Sequence, residues 1–213
     1  MRQTAIQFYS KGMAVEGVLS MPERGPSDPG IVVACHPHPV LGGDMDNRFV
    51  VAVCRAVDGY GLASLRFNFR GVQGSEGRFS NGPGERDDLV AAVGAMRRWP
   101  GVNGGRMAVA GYSFGAGVAL GAMGRLRTVK AFAAIAPPVS SVRSLSGSKM
   151  KRSTMFVAGS QDRIAPPLEL QRELDGVMGP VSYAEVPGAD HSLTGREDEA
   201  ADLVAKFLAD TLA

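Results

Sequence analysis

The chain has 213 residues, 45% of them hydrophobic and 21% charged, with a formal net charge of +2. These values describe one globular domain over residues 1–213 with a continuous core, and exclude disorder, collagen-like repetition and a disulfide-stapled mini-protein. Cys35 and Cys54 are the only cysteines, both in apolar segments, so buried thiols in a cytoplasmic protein are expected; no run resembles a signal peptide or the roughly 20 apolar residues of a membrane span.

In chain order, Thr4 to Phe8 and Met13 to Ser20 read as an antiparallel pair of edge strands joined near Lys11-Gly12. Ile31 to Cys35 is a continuous apolar run. Asn47 can cap a helix carrying Val50, Val53, Cys54 and Val57 that stops at Gly59 and Gly61. Leu65 to Phe69 is the next strand. A helix follows, with Glu85, Asp87 and Asp88 at its start and Arg97 and Arg98 at its end, as the helix dipole favours. Met107 to Ala110, Ala131 to Ile135, Thr154 to Ala158 and Val181 to Val186 are further strands, and a helical run over Ala116 to Met123 follows the first of them. Thr194 and Glu197 have capping-box spacing before a last helix carrying Leu203, Val204, Phe207 and Leu208. Apolar strands without polar alternation are buried on both faces, which predicts a mostly parallel, doubly wound α/β sheet.

Between Asp88 and Asp162 there is no Asp or Glu, while that stretch carries Arg97, Arg98, Arg106, Arg125, Arg127, Lys130, Arg143, Lys149, Lys151 and Arg152. These cations are scattered between apolar segments without interleaved aromatics, so no nucleic-acid partner is expected. No membrane partner is expected either, and the chain is expected as a monomer or small homo-oligomer.

Residues 111 to 115 read Gly-Tyr-Ser-Phe-Gly, a GxSxG directly between strand and helix. A sharp strand-to-helix turn leaves no room for flanking side chains, so Gly111 and Gly115 would let Ser113 stand exposed as a nucleophile. A serine hydroxyl needs a histidine base oriented by a carboxylate. Of His36, His38 and His191, the last lies in a loop after the strand Val181 to Val186, at the carboxyl edge where such sheets bind ligands. If the order is Ser, acid, His, the acid-free stretch leaves Asp162 first among the acids, just after the strand Thr154 to Ala158. Glu169, Glu173 and Asp175 belong to the next helix, and Asp190 is an immediate neighbour of His191.

On these motifs, on His36-Pro37-His38-Pro39, on Arg66-Phe67-Asn68-Phe69-Arg70-Gly71 and on Gly159-Ser160-Gln161-Asp162, the chain resembles the α/β-hydrolase superfamily. It looks closest to small, capless bacterial esterase-like members with a His-Pro-His-Pro oxyanion segment. The resemblance implies an α/β-hydrolase fold with an eight-stranded sheet whose second strand is antiparallel, helices on both faces, and serine-ester hydrolysis without a cofactor, with a small-molecule ester as the expected partner.

The oxyanion hole is expected from the backbone N–H of Phe114 and one donor in the loop after Ile31 to Cys35. Proline has no N–H, so Pro37 and Pro39 cannot serve, and His38 is the best remaining donor. Val40, Leu41, Phe79, Pro138, Val139 and Leu193 are candidates for the substrate pocket by loop position. Only Ala136 to Ser153 separates two strands where larger relatives insert a lid, and so short a segment cannot form a core of its own.

A thioesterase or short-peptide hydrolase could use the same triad. A metal-dependent hydrolase using His36 and His38 is a different class, but three or four convergent ligands are needed and the only other histidine is committed elsewhere; no metal site is expected. Gly115, Gly117 and Gly121 are read as close packing of a helix against the sheet, since Ser113 occupies the turn where a dinucleotide fingerprint needs glycine.

Overall fold

The computed structural model describes residues 1–213. Eight strands form one sheet in the order β1-β2-β4-β3-β5-β6-β7-β8. The strands are β1 (Arg2–Ser10), β2 (Met13–Met21), β3 (Ile31–Cys35), β4 (Ala63–Phe67), β5 (Met107–Tyr112), β6 (Val129–Ile135), β7 (Ser153–Gly159) and β8 (Val181–Val186). β2 runs antiparallel to both of its neighbours, and every other pairing is parallel. The β1–β2 turn holds Lys11 and Gly12 at φ 52° and 85°, the mirror-image turn that matches strand twist.

Alternate residues of the central strands feed two cores. Ile31, Val33, Val109, Phe132 and Phe156 join α2 (Pro83–Met96), α3 (Phe114–Ala122), α4 (Val139–Arg143) and α5 (Pro167–Leu174) on one face. Val32, Ala108, Ala110, Ala133 and Val157 join α1 (Arg48–Gly59) and α6 (Glu197–Leu212) on the other. The strands from β3 to β7 are therefore mostly apolar, because both of their faces are covered; Ser64 and Arg66 in β4, Lys130 in β6 and Ser153 and Thr154 in β7 are the polar exceptions. Cys35 and Cys54 are free and buried. No helix is long and apolar enough to cross a membrane.

Asn47 caps α1 as expected, its Oδ1 accepting from the N–H of Phe49 at 3.1 Å. Glu85 sits in the first turn of α2, as expected, but fully buried; it accepts from the N–H groups of Ser80 and Gly82 and from the Ser80 hydroxyl, tying the preceding loop to the helix. Asp88 does more than favour the dipole, since it is fully buried against Arg70.

Four expectations change. The capping box at Thr194 does not form: α6 opens at Glu197 after Arg196, because Leu193 and Gly195 take positive φ and commit the preceding residues to a turn. The strand expected at Leu65 to Phe69 ends at Phe67, since Phe69 N–H leaves the ladder to donate to His36 Nε2 at 3.0 Å. The helix expected from Ala116 begins at Phe114, immediately after the serine. Gly117 and Gly121 face other helices and not the sheet: a Cβ would lie 2.9 Å from Ser141 Oγ at the first and 2.5 Å from Arg86 Nε at the second.

Candidate active site

At the end of β5 the chain turns into α3 within one residue. Ser113 holds φ 52° and ψ −113°, a conformation that costs a non-glycine residue free energy and persists only where packing over-determines it. Close backbone approach supplies that constraint. A Cβ on Gly111 would lie 2.5 Å from the carbonyl oxygen of Gly115, and one on Gly115 would lie 2.5 Å from that of Cys35 and 2.6 Å from that of His36. Ser113 N–H is held by the carbonyl of Ile135 at 2.8 Å. Ala136 and Leu193, in the carboxyl-edge loops after β6 and β8, also have positive φ, so strained backbone gathers around this point.

Three sequence-predicted residues meet here. Ser113 Oγ lies 2.9 Å from His191 Nε2, and His191 Nδ1 lies 2.8 Å from Asp162 Oδ2. The second oxygen of Asp162 accepts from the N–H groups of Ile164 and Ala165, both at 2.8 Å. Burial alone would raise the Asp162 pKa, but hydrogen bonds from His191, Ala165 and Ile164 outweigh it and hold the carboxyl below its ordinary value. An ionised Asp162 fixes the proton of neutral His191 on Nδ1, which leaves Nε2 free to accept from the serine hydroxyl.

The loop after β3 turns back over the elbow. Phe114 opens α3, so its N–H has no acceptor within the helix, and His38 N–H also has no protein acceptor. The His38 ring packs 5.1 Å from both Phe79 and Phe114, and Phe79 lies 5.5 Å from Phe114, making an aromatic wall beside the serine. Val40 and Leu41 follow in a short 3₁₀ turn and are 71% and 84% exposed. Pro138 is half-buried near Gly117.

One pocket candidate belongs elsewhere. Leu193 is fully buried in the core beneath α6, where it anchors the His191 loop by packing. Val139 opens α4, half-buried against the other core.

His36 and His38 do not act as a pair. His36 is fully buried, with Nδ1 2.7 Å from the carbonyl of Pro37 and Nε2 accepting from Phe69 N–H. Both ring nitrogens are engaged, so no lone pair is left for a metal, and no three His, Cys, Asp or Glu side chains converge. The ring instead clips the loop after β3 to the end of β4. Tyr112, not singled out from the sequence, braces a second loop, its hydroxyl donating to the backbone carbonyl of His191 at 2.8 Å. Burial pushes its phenol up to about 12, so it remains a donor. An aromatic hydroxyl at the x before the serine was the only signal for it.

An alpha-beta serine hydrolase homologue from Coxiella burnetii is 31% identical and superposes with a TM-score of 0.86 over 97% of each chain. A serine hydrolase without a lid from Xanthomonas campestris is 25% identical with a TM-score of 0.86, covering 99% of this chain and 95% of that one. A curated relative, an uncharacterized protein of Rickettsia prowazekii, is 29% identical over 186 residues, which is 84% of this chain and 78% of its own. Residues 33–210 match the family described as the alpha/beta hydrolase domain. With that match, the serine-hydrolase relatives and the parallel sheet that carries the elbow, the chain belongs to the α/β-hydrolase domain family.

Proposed function

We propose that the protein is a serine carboxylesterase that hydrolyses small or short-acyl carboxylic esters through an acyl-enzyme on Ser113. The observation that carries this reading is the hydrogen-bonded chain from Ser113 Oγ through His191 to Asp162, at 2.9 and 2.8 Å, on a strained elbow.

In this mechanism His191 Nε2 takes the proton of Ser113 as Oγ attacks the ester carbonyl. The N–H groups of Phe114 and His38 receive the oxyanion, and Asp162 stabilises the imidazolium. The imidazolium then protonates the alcohol as the C–O bond breaks. Water, deprotonated by the same imidazole, attacks the acyl-enzyme and releases the acid. His36 and Tyr112 act as positioning residues, the first on the loop that presents His38, the second on the loop that presents His191.

A panel of p-nitrophenyl esters of graded acyl length, assayed on the wild type and on Ser113→Ala, tests the reading. Hydrolysis should be fastest for the short acyl chains, and the variant should lose about 10⁶-fold in kcat. A variant that keeps hydrolysis well above background would overturn it.

A further inference from the structure

A cleft of about 750 Å³ opens directly beside His191, between the loop after β7 and the loop after β8. Its lining is polar: Ser160, Gln161, Arg163, Asp190 and Ser192 stand around it with Asp162 and His191, and Ile164 is its one apolar residue. This contrasts with the aromatic wall of His38, Phe79 and Phe114 against the oxyanion loop.

Much of that polar capacity is unused within the protein. The side chains of Gln161 and Arg163 have no hydrogen-bond or salt-bridge partner there; Asp190 uses one carboxylate oxygen on Ser192 N–H at 3.0 Å and leaves the other free. Donors and acceptors are therefore offered together.

The chemistry of the proposed esterase, on which this inference rests, says which half of the substrate lies here. The leaving oxygen must come within hydrogen-bond reach of the group that protonates it, and that group is His191 Nε2. The alcohol therefore departs on the His191 side. Asp162 is buried with both oxygens engaged, so the exposed charges around the cleft are one carboxylate, Asp190, and one guanidinium, Arg163, which gives no net charge to draw in an ionic alcohol. A neutral polyol can accept from Arg163 and Gln161 and donate to Asp190.

We infer that the cleft beside His191 is an alcohol subsite for a polyhydroxylated leaving group, glycerol or a sugar in chemical class, with Gln161, Arg163 and Asp190 determining the preference. The substrate is then two-sided, a short apolar acyl group joined to a polar alcohol.

Three butyrate esters separate the possibilities, assayed by pH-stat: glyceryl 1-monobutyrate, n-propyl butyrate and p-nitrophenyl butyrate. The first two share an acyl group and a three-carbon alcohol and differ by two hydroxyls. The wild type should favour the glyceryl ester by about tenfold in kcat/KM, chiefly through KM, as one or two net hydrogen bonds would give. Arg163→Ala, Gln161→Ala and Asp190→Ala should each move that ratio toward one. Because both esters are measured on the same preparation, a general loss of folded protein cancels. A wild-type ratio of one or less, with the propyl and p-nitrophenyl esters still hydrolysed, overturns the polyol subsite and leaves the esterase reading standing. A high ratio that survives all three substitutions overturns the assignment of these residues. Hydrolysis of none of the esters overturns the esterase reading and this inference with it.

Discussion

The carbonyl oxygens of Cys35 and His36 lie where a Cβ on Gly115 would be, at 2.5 and 2.6 Å, so the residue is fixed by backbone and not by a side chain that could swing away. Gly115→Ala should therefore push the loop after β3 off the elbow. The expected cost is about 1–3 kcal/mol in chemical denaturation, with a larger proportional loss of kcat as the His38 N–H shifts. His36 bears on the same loop. Burial lowers its pKa to about 4, against 6.5 for a free imidazole. Only the unfolded chain binds a proton as pH falls from about 6.5 to about 4, so the stability held by the neutral ring is complete above that window and lost on acidification. Between pH 7 and pH 4.5 the loss should be about 2–3 kcal/mol in urea denaturation, and His36→Asn should flatten the difference. The sequence made Gly115 legible, because a GxSxG between strand and helix states its own steric demand. It left the role of His36 hidden, since the partner, Phe69 N–H, is 33 residues away and a histidine two positions from another suggests a shared face.

α2 is tied to the sheet by a buried ion pair as well as by its apolar residues. Arg70, just past β4, meets Asp88 at 2.7 Å through its guanidinium and at 3.0 Å through its backbone N–H, and Asp88 is wholly buried. Asp88→Ala would strand a guanidinium whose side chain is 12% exposed, and should cost about 3–5 kcal/mol, read as a fall in Tm and in the urea midpoint. The loop before α6 is held more lightly. Tyr112→Phe removes the hydroxyl that anchors the His191 carbonyl, which should cost about 1 kcal/mol and lower kcat severalfold while KM stays near its wild-type value. Elements with local signals were readable: the Asn47 cap, the acidic start of α2 and the span Val181–Val186 all stand where the residues placed them. Thr194 carried an equally good local signal and failed. The turn that presents His191 and buries Leu193 occupies the backbone the cap required, and that demand comes from the tertiary fold.

Across the whole molecule, the serine, the histidine and the carboxylate come from three different carboxyl-edge loops, following β5, β8 and β7. Chain order and the acid-free stretch were enough to name them, because a parallel sheet brings all such loops to one edge whatever their separation in sequence. The polar cleft beside His191 was not legible, since which loop side chains share a cleft depends on how β7 and β8 pair. Between β6 and β7 residues 136–152 carry a single five-residue helix, α4, with no lid domain, and Ser113 stays partly exposed. The initial rate should then follow a single hyperbola as an ester is raised through its solubility limit, and a jump at that limit, measured by pH-stat, would contradict an uncovered site. The contact between Gly115 and the loop after β3 has a further consequence for redesign. The pose of Ser113 is set by main chain against main chain, whereas the exposed side chains of Leu41, farther along the loop after β3 than the carbonyls that meet Gly115, and of Arg163, in the loop after β7, take no part in that contact. Random libraries at those rim positions should yield mostly folded variants with altered preferences, while libraries at 111 or 115 should yield almost none.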